Sequence, residues 1–222
     1  LSVSAADPVF SSIFNGKDLA GWKKPKLTEC WVVKDGVLTV QNNAKRQGDT
    51  LSTEKKYENF LCELEFKFGP GTVDSGIFIR NGKDQIQIGI SGSLKRDMTA
   101  SPYIPGKGYP VEAKGVKELL SLSGWNTLRI RAVGPDYTTW LNGKEVMNYR
   151  SSTAASKGPL GIQLHGGKVM TIHYRNVRVA ELPKGPRTEI PKKKAAVSPL
   201  ATGVAISASS EEGGNPARHA FD

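Results

Sequence analysis

Nothing in this sequence approaches 18 uninterrupted apolar residues, so a membrane-spanning helix is excluded. Cysteine is nearly absent. Cys30 and Cys62 are too few for a disulfide scaffold and fit either one bridge or two buried thiols, which leaves the redox compartment open. The three histidines stand in no spacing with carboxylates that forms a metal-ligand signature. Gly-x-Ser-x-Gly and a phosphate-binding loop are missing, and neither cysteine has a histidine nearby in sequence. Helical periodicity is also scarce. Within Val111 to Trp125, Val116, Leu119 and Leu120 suit a single short turn of helix.

The formal charge of +10 invites a nucleic-acid reading, but Lys184, Arg187, Lys192, Lys193 and Lys194 sit together with one acid, Glu189. That stretch carries +4 and leaves +6 for the rest, scattered among acids. A solvated basic surface fits better than a nucleic-acid footprint. The opening "LSVSAADPVF" is rich in small residues, like sequence around an export-signal cleavage site, so export is expected.

What is abundant is short alternation punctuated by Gly and Asn. "NFLCELEFKF" (Asn59 to Phe68) sets Phe60, Cys62, Leu64, Phe66 and Phe68 opposite Glu63, Glu65 and Lys67, the pattern of a half-buried strand. "VVKDGVLTV" (Val32 to Val40), "WNTLRIRAV" (Trp125 to Val133), Tyr137 to Leu141, Leu160 to Leu164 and "MTIHYRNVRV" (Met170 to Val179) continue it. In "WLNGKEV", Asn142-Gly143 supplies the positive φ angles of a type I′ hairpin turn. Many short strands with almost no helix predict an all-β, two-sheet jelly-roll sandwich over 10–182. From Leu182 the texture becomes Pro- and Lys-rich, which predicts a linker over 183–202. The segment 203–222 resembles the first strand and loop of a discoidin-type carbohydrate-binding module.

In "VDSGIFIRNGKDQIQIGISG", side chains two apart share a face. Arg80 is therefore expected beside Phe78 and Gly76, and Gln85 beside Gln87, with Ile86, Ile88 and Ile90 opposite. The same rule joins Gln163 to His165, which precedes Gly166-Gly167, where a ligand can approach closely. Amide, guanidinium and imidazole groups suit hydroxyl recognition, and Tyr stacks on sugar faces. The long loop from Gly92 to Pro110 offers Lys95, Arg96, Asp97, Tyr103, Lys107 and Tyr109 as a wall. His173 reads as structural, and the four Trp residues as core.

"FNGKDLAGW" (Phe14 to Trp22), "WVVKDGVL" (Trp31 to Leu38), "LSTEKKYENFLCELEFK" (Leu51 to Lys67), "DSGIFIR" (Asp74 to Arg80), "WLNGKEV" and "GPLGIQLHGGKVMTIHYRNVRVAEL" (Gly158 to Leu182) together resemble the DUF1080 family. Its members are known as 3-keto-disaccharide hydrolases on a concanavalin- and laminin-G-like jelly roll. This chain departs from the family pattern at Asp74 (Asn in many members), Gln85 (Glu) and Ile90 (Asp), and keeps Arg80 and Gln87.

The resemblance implies cleavage of a 3-keto-glycoside: a base removes the proton next to the keto group, the glycosidic oxygen leaves, and water adds. That needs one base, one oxyanion stabiliser and one acid. His165 is the expected base or acid, with Asp74 and Asp97 as runners-up. Arg80 or Lys95 is the expected enolate stabiliser. Gln85, Gln87, Gln163, Tyr103 and Tyr109 are the expected substrate contacts. No cofactor is predicted, although a divalent metal would suit enolate chemistry. The expected partner is an oligosaccharide or glycoside. The competing reading is a non-catalytic carbohydrate-binding or adhesion module on the same fold, and a third is a scaffold that docks a protein through its convex face.

Overall fold

The structure, a computed structural model, describes residues 8–80 and 83–183. The expected tail and nearly all of the expected linker fall outside the described residues. The strands are β1 (Ser11–Ser12), β2 (Trp31–Lys34), β3 (Val37–Gln41), β4 (Asp49–Ser52), β5 (Phe60–Gly71), β6 (Asp74–Ile79) and β7 (Asp84–Gly89). They continue with β8 (Pro102–Tyr103), β9 (Asn126–Val133), β10 (Asp136–Leu141), β11 (Lys144–Arg150), β12 (Gly161–Leu164) and β13 (Met170–Glu181). The only α-helix among the described residues is one turn, Val116–Leu119. No described helix is long and apolar enough to cross a membrane.

One sheet runs β11-β10-β9-β5-β13-β3-β2, with β1 added on β13; the other runs β4-β12-β6-β7-β8. Alternation decides which side chains meet between them. The inward row of β5 (Phe60, Cys62, Leu64, Phe66) joins Leu128 and Ile130 of β9 and Ile172 and Tyr174 of β13. From the smaller sheet, Leu51, Ile77, Ile79, Ile86, Ile88, Ile162 and Leu164 complete the same core. Each strand loses its apolar row from water while its other row stays outside, which is the driving force of a sandwich. The result is an all-β jelly roll. Between the sheets, Ser75 Oγ donates to the Gln163 carbonyl at 2.6 Å, so the Tyr174 hydroxyl, 2.8 Å away, donates to Ser75. Cys30 and Cys62 are both free and buried, and burial pushes the Cys62 thiol up to about 12.

The Asn142-Gly143 turn has φ of 48° and 84° and joins β10 to β11, as its sequence predicts. The outer face of the larger sheet carries paired charges. Arg129 and Arg178 both bridge Glu63, and Arg175 bridges Glu65 at 2.6 Å while stacking on Trp125 at 4.1 Å. Burial pushes the Glu63 carboxyl up, but hydrogen bonds from Arg178 and Arg129 more than reverse this and hold it below the usual Glu range. His173 lies on this sheet with Nδ1 3.0 Å from the Thr39 hydroxyl, in a structural position.

Candidate functional site

The outward row of the smaller sheet is polar because its inward row is Ile and Leu. Register brings the polar residues together: Gly76 pairs with Gln87, Phe78 with Gln85, Gly161 with Phe78, and Gln85 with Tyr103. Directly opposed residues share a face, so Asp74, Gln85, Gln87, Gln163 and Tyr103 form one floor. Over it lies a cavity of about 450 Å³, within the range that accepts small ligands. Tyr109, His165, Lys168 and the turn Ser91-Gly92-Ser93 complete the lining. The two tyrosines meet edge to face at 5.3 Å. Burial raises the Tyr109 hydroxyl above its usual range, so it is a donor at neutral pH.

The floor is hydrogen-bonded within itself. Gln85 Nε2 donates to Gln163 Oε1 at 2.7 Å, and Gln87 Nε2 donates to Asp74 Oδ1 at 2.9 Å. Gly76 makes room for this: a Cβ there would come 2.0 Å from Gln85 Nε2 and 2.7 Å from the Ile86 carbonyl. Asp74 is 2% exposed, and its Oδ2 is buried with no hydrogen-bond partner. Two cationic or basic atoms flank that oxygen, Lys168 Nζ at 3.4 Å and His165 Nε2 at 3.8 Å. On the other side of the His165 ring, Nδ1 is 2.7 Å from the Gly166 carbonyl. A carbonyl only accepts, so Nδ1 carries the proton and neutral His165 presents a lone pair at Nε2.

Seven of the ten residues singled out from sequence meet here: His165, Asp74, Gln85, Gln87, Gln163, Tyr103 and Tyr109. Three do not. Arg80 would share the outward face only if β6 continued through it, but the strand ends at Ile79 and Arg80 has φ of 44°. Its side chain turns inward, 1% exposed, over the Phe60 ring at 5.7 Å, and Nη1 donates to the Gly134 and Ala155 carbonyls at 2.6 and 3.0 Å. Arg80 is thus a packing cation. Lys95 is exposed in a left-handed turn (φ 57°) and is not among the cavity's lining residues. Asp97 faces a different cavity, with Ile90 and Glu112, and spends its carboxylate on the Thr99 amide and hydroxyl at 2.9 and 3.2 Å.

Replacing Arg80 with Ala leaves two carbonyls without their donor and empties the space over Phe60. The expected loss is about 2–3 kcal/mol, or roughly 5–10 °C in Tm for a domain of this size. Thermal unfolding checks it, and any activity per folded molecule should survive.

Lys168 was not legible in the sequence as a site residue. Its one signal is its place after His165-Gly166-Gly167, where the chain can fold back over the sheet. The donors at hand do not fit a divalent metal. Among the described residues no three of His, Cys, Asp and Glu gather, and the ammonium of Lys168 already sits against the site's carboxylate.

Residues 9–180 match the family of 3-keto-alpha-glucoside-1,2-lyase-like domains. No curated protein matches the chain. Among solved structures, a Parabacteroides distasonis ATCC 8503 protein named provisionally as a glycosyl hydrolase is 19% identical, with 78% of this chain and 94% of that one covered at a TM-score of 0.60. The carbohydrate recognition domain of Emp47p is 14% identical, with 80% and 99% covered at 0.53. The exoplasmic/lumenal domain of VIP36, in a Ca2+- and mannose-bound form, is 9% identical, with 75% and 85% covered at 0.51. At these identities the likeness is one of fold.

Proposed function

The chain belongs to the family of 3-keto-alpha-glucoside-1,2-lyase-like domains, and from that premise we propose that it cleaves 3-keto-glycosides by proton abstraction, elimination and hydration. One observation carries the reading: a buried carboxylate, Asp74, holds an ammonium and an imidazole side by side at the wall of a sugar-sized cavity. His165 Nε2 takes the proton from C2, the carbon between the keto group and the glycosidic carbon. The electron pair moves onto the C3 oxygen, where the Lys168 ammonium neutralises the developing enolate. The enolate collapses, the C1–O bond breaks, and the leaving oxygen takes a proton from Tyr109 or water. Water then adds its oxygen to C1 and a proton to C2 of the resulting enone, for a net hydrolysis.

Asp74 acts through its neighbours. Oδ1 is engaged by Gln87 and Oδ2 is out of reach of solvent, so it positions Lys168 and pairs with the imidazolium that His165 becomes. This differs from the expectation that Asp74 is a base. An ordinary glycosidase needs two carboxylic acids across the bond, and Asp74 is the only acid among the lining residues.

The test is turnover. Incubated with a 3-keto-disaccharide, with and without a chelator, the protein should release free sugar in both cases and pass through an enone that absorbs in the near ultraviolet. Binding of an unmodified glycan with no release from the keto sugar would favour the second reading, a carbohydrate-binding module. The observation on its side is the amide floor of Gln85, Gln87 and Gln163, which suits hydroxyl recognition with or without chemistry.

A further inference from the structure

We propose that a second cavity, across Gln163 and His165 from the first, receives the leaving group and prefers one that carries negative charge. That the group leaves rests on the cleavage proposed above; the cavity and Lys26 are there whether or not cleavage occurs. The second cavity has a volume of about 420 Å³ and is walled by Lys26, Asp49, Thr50 and Gly166. It shares Gln163 and His165 with the first cavity. A substrate whose reacting carbon lies at His165 with its keto sugar against Lys168 therefore extends its other half over His165 into this space. Thr50 pairs with Gln163 in register, so both side chains point out of the same sheet face.

The wall is built in advance of any ligand. Asn42 Nδ2 donates to the His165 carbonyl at 3.0 Å and to the Gln47 carbonyl at 3.1 Å, and the Gly167 amide donates to the Arg46 carbonyl at 2.7 Å. Gly48 permits the close approach of these two loops, since a Cβ there would come 2.8 Å from the Gly166 nitrogen.

The acid and the lysine are arranged differently from those of the first cavity, where Lys168 sits against Asp74. Asp49 spends both carboxylate oxygens on the protein: Oδ1 accepts from the Thr50 amide at 2.8 Å, and Oδ2 from the Leu27 amide at 2.9 Å and the Trp31 indole at 3.3 Å. Lys26 is exposed and is the single lysine or arginine of the lining. Asp49 keeps its negative charge but has its oxygens engaged, so the charged group with donors free for a ligand is the Lys26 ammonium, which would pair with a uronate or another acidic sugar and not with a neutral one.

The experiment measures binding of unoxidised disaccharides, which lack the keto group and cannot be eliminated. One ends in a neutral hexose and the other in the corresponding uronate. The uronate should bind about 3–5-fold more tightly, as an exposed ion pair allows. Lys26→Ala should erase the difference and Lys26→Glu should reverse it, while affinity for the monosaccharide stays the same. Equal affinity for the two disaccharides, no binding of either, or a uronate preference that survives Lys26→Ala overturns the inference. Turnover of the keto sugars is scored separately. A uronate preference that depends on Lys26, without any cleavage, would sink the cleavage reading and leave the anionic subsite standing.

Discussion

His165→Ala should lower kcat on a 3-keto-glycoside by about 10²–10⁴-fold, the span of one positioned general base, with KM changed little. Its tautomer makes it a base. The Gly166 carbonyl accepts a hydrogen bond from Nδ1–H, which leaves the Nε2 lone pair free to abstract, and Asp74 Oδ2 stands 3.8 Å from that same nitrogen to pair with the imidazolium. The ring is partly exposed and lines the cavity, so substrate can reach it, whereas His173 lies on the other sheet against Thr39. Added imidazole should restore part of the lost rate if the ring acts as a base and not as packing. Undiminished cleavage by His165→Ala would remove it from the mechanism.

Lys168→Met should cost about 10²–10³ in kcat, the usual loss when one oxyanion stabiliser is removed. This variant also leaves Asp74 buried without its nearest countercharge, and a lone buried charge destabilises. Two further variants separate the effects. Lys168→Arg keeps a cation at the site and should retain fold stability with part of the rate. Lys168→Met combined with Asp74→Asn should recover stability while remaining slow. Recovery of full rate in that double variant would show that Lys168 matters only as the partner of Asp74.

Much of the floor was legible because β6, β7 and β12 obey a period of two. An Ile- or Leu-bearing row must enter the core, so Asp74, Gln85, Gln87 and Gln163 are forced to the other face wherever the strand runs. Arg80 shows where that logic ends. A left-handed φ at the residue after Ile79 breaks the period, and the side chain swings into the packing layer against Phe60. The departures from the family pattern also read differently in place. Gln85 pairs amide to amide with Gln163, where a carboxylate would accept a hydrogen bond but could not donate one, and the site's acid stands at Asp74.

The sandwich, the Asn142-Gly143 hairpin and the outward-facing strand residues are written in the sequence, because each follows from local periodicity and turn sterics. That Lys168 belongs to the site while Lys95 and Asp97 do not follows from the fold in three dimensions. All three stand in loops, where no period constrains the side chain. Their positions depend on long-range pairing, β12 beside β6 and the turn after β12 folded over Asp74. It also set Lys26 and Thr50 beside His165, since β4 reaches β12 by register across more than half the described chain.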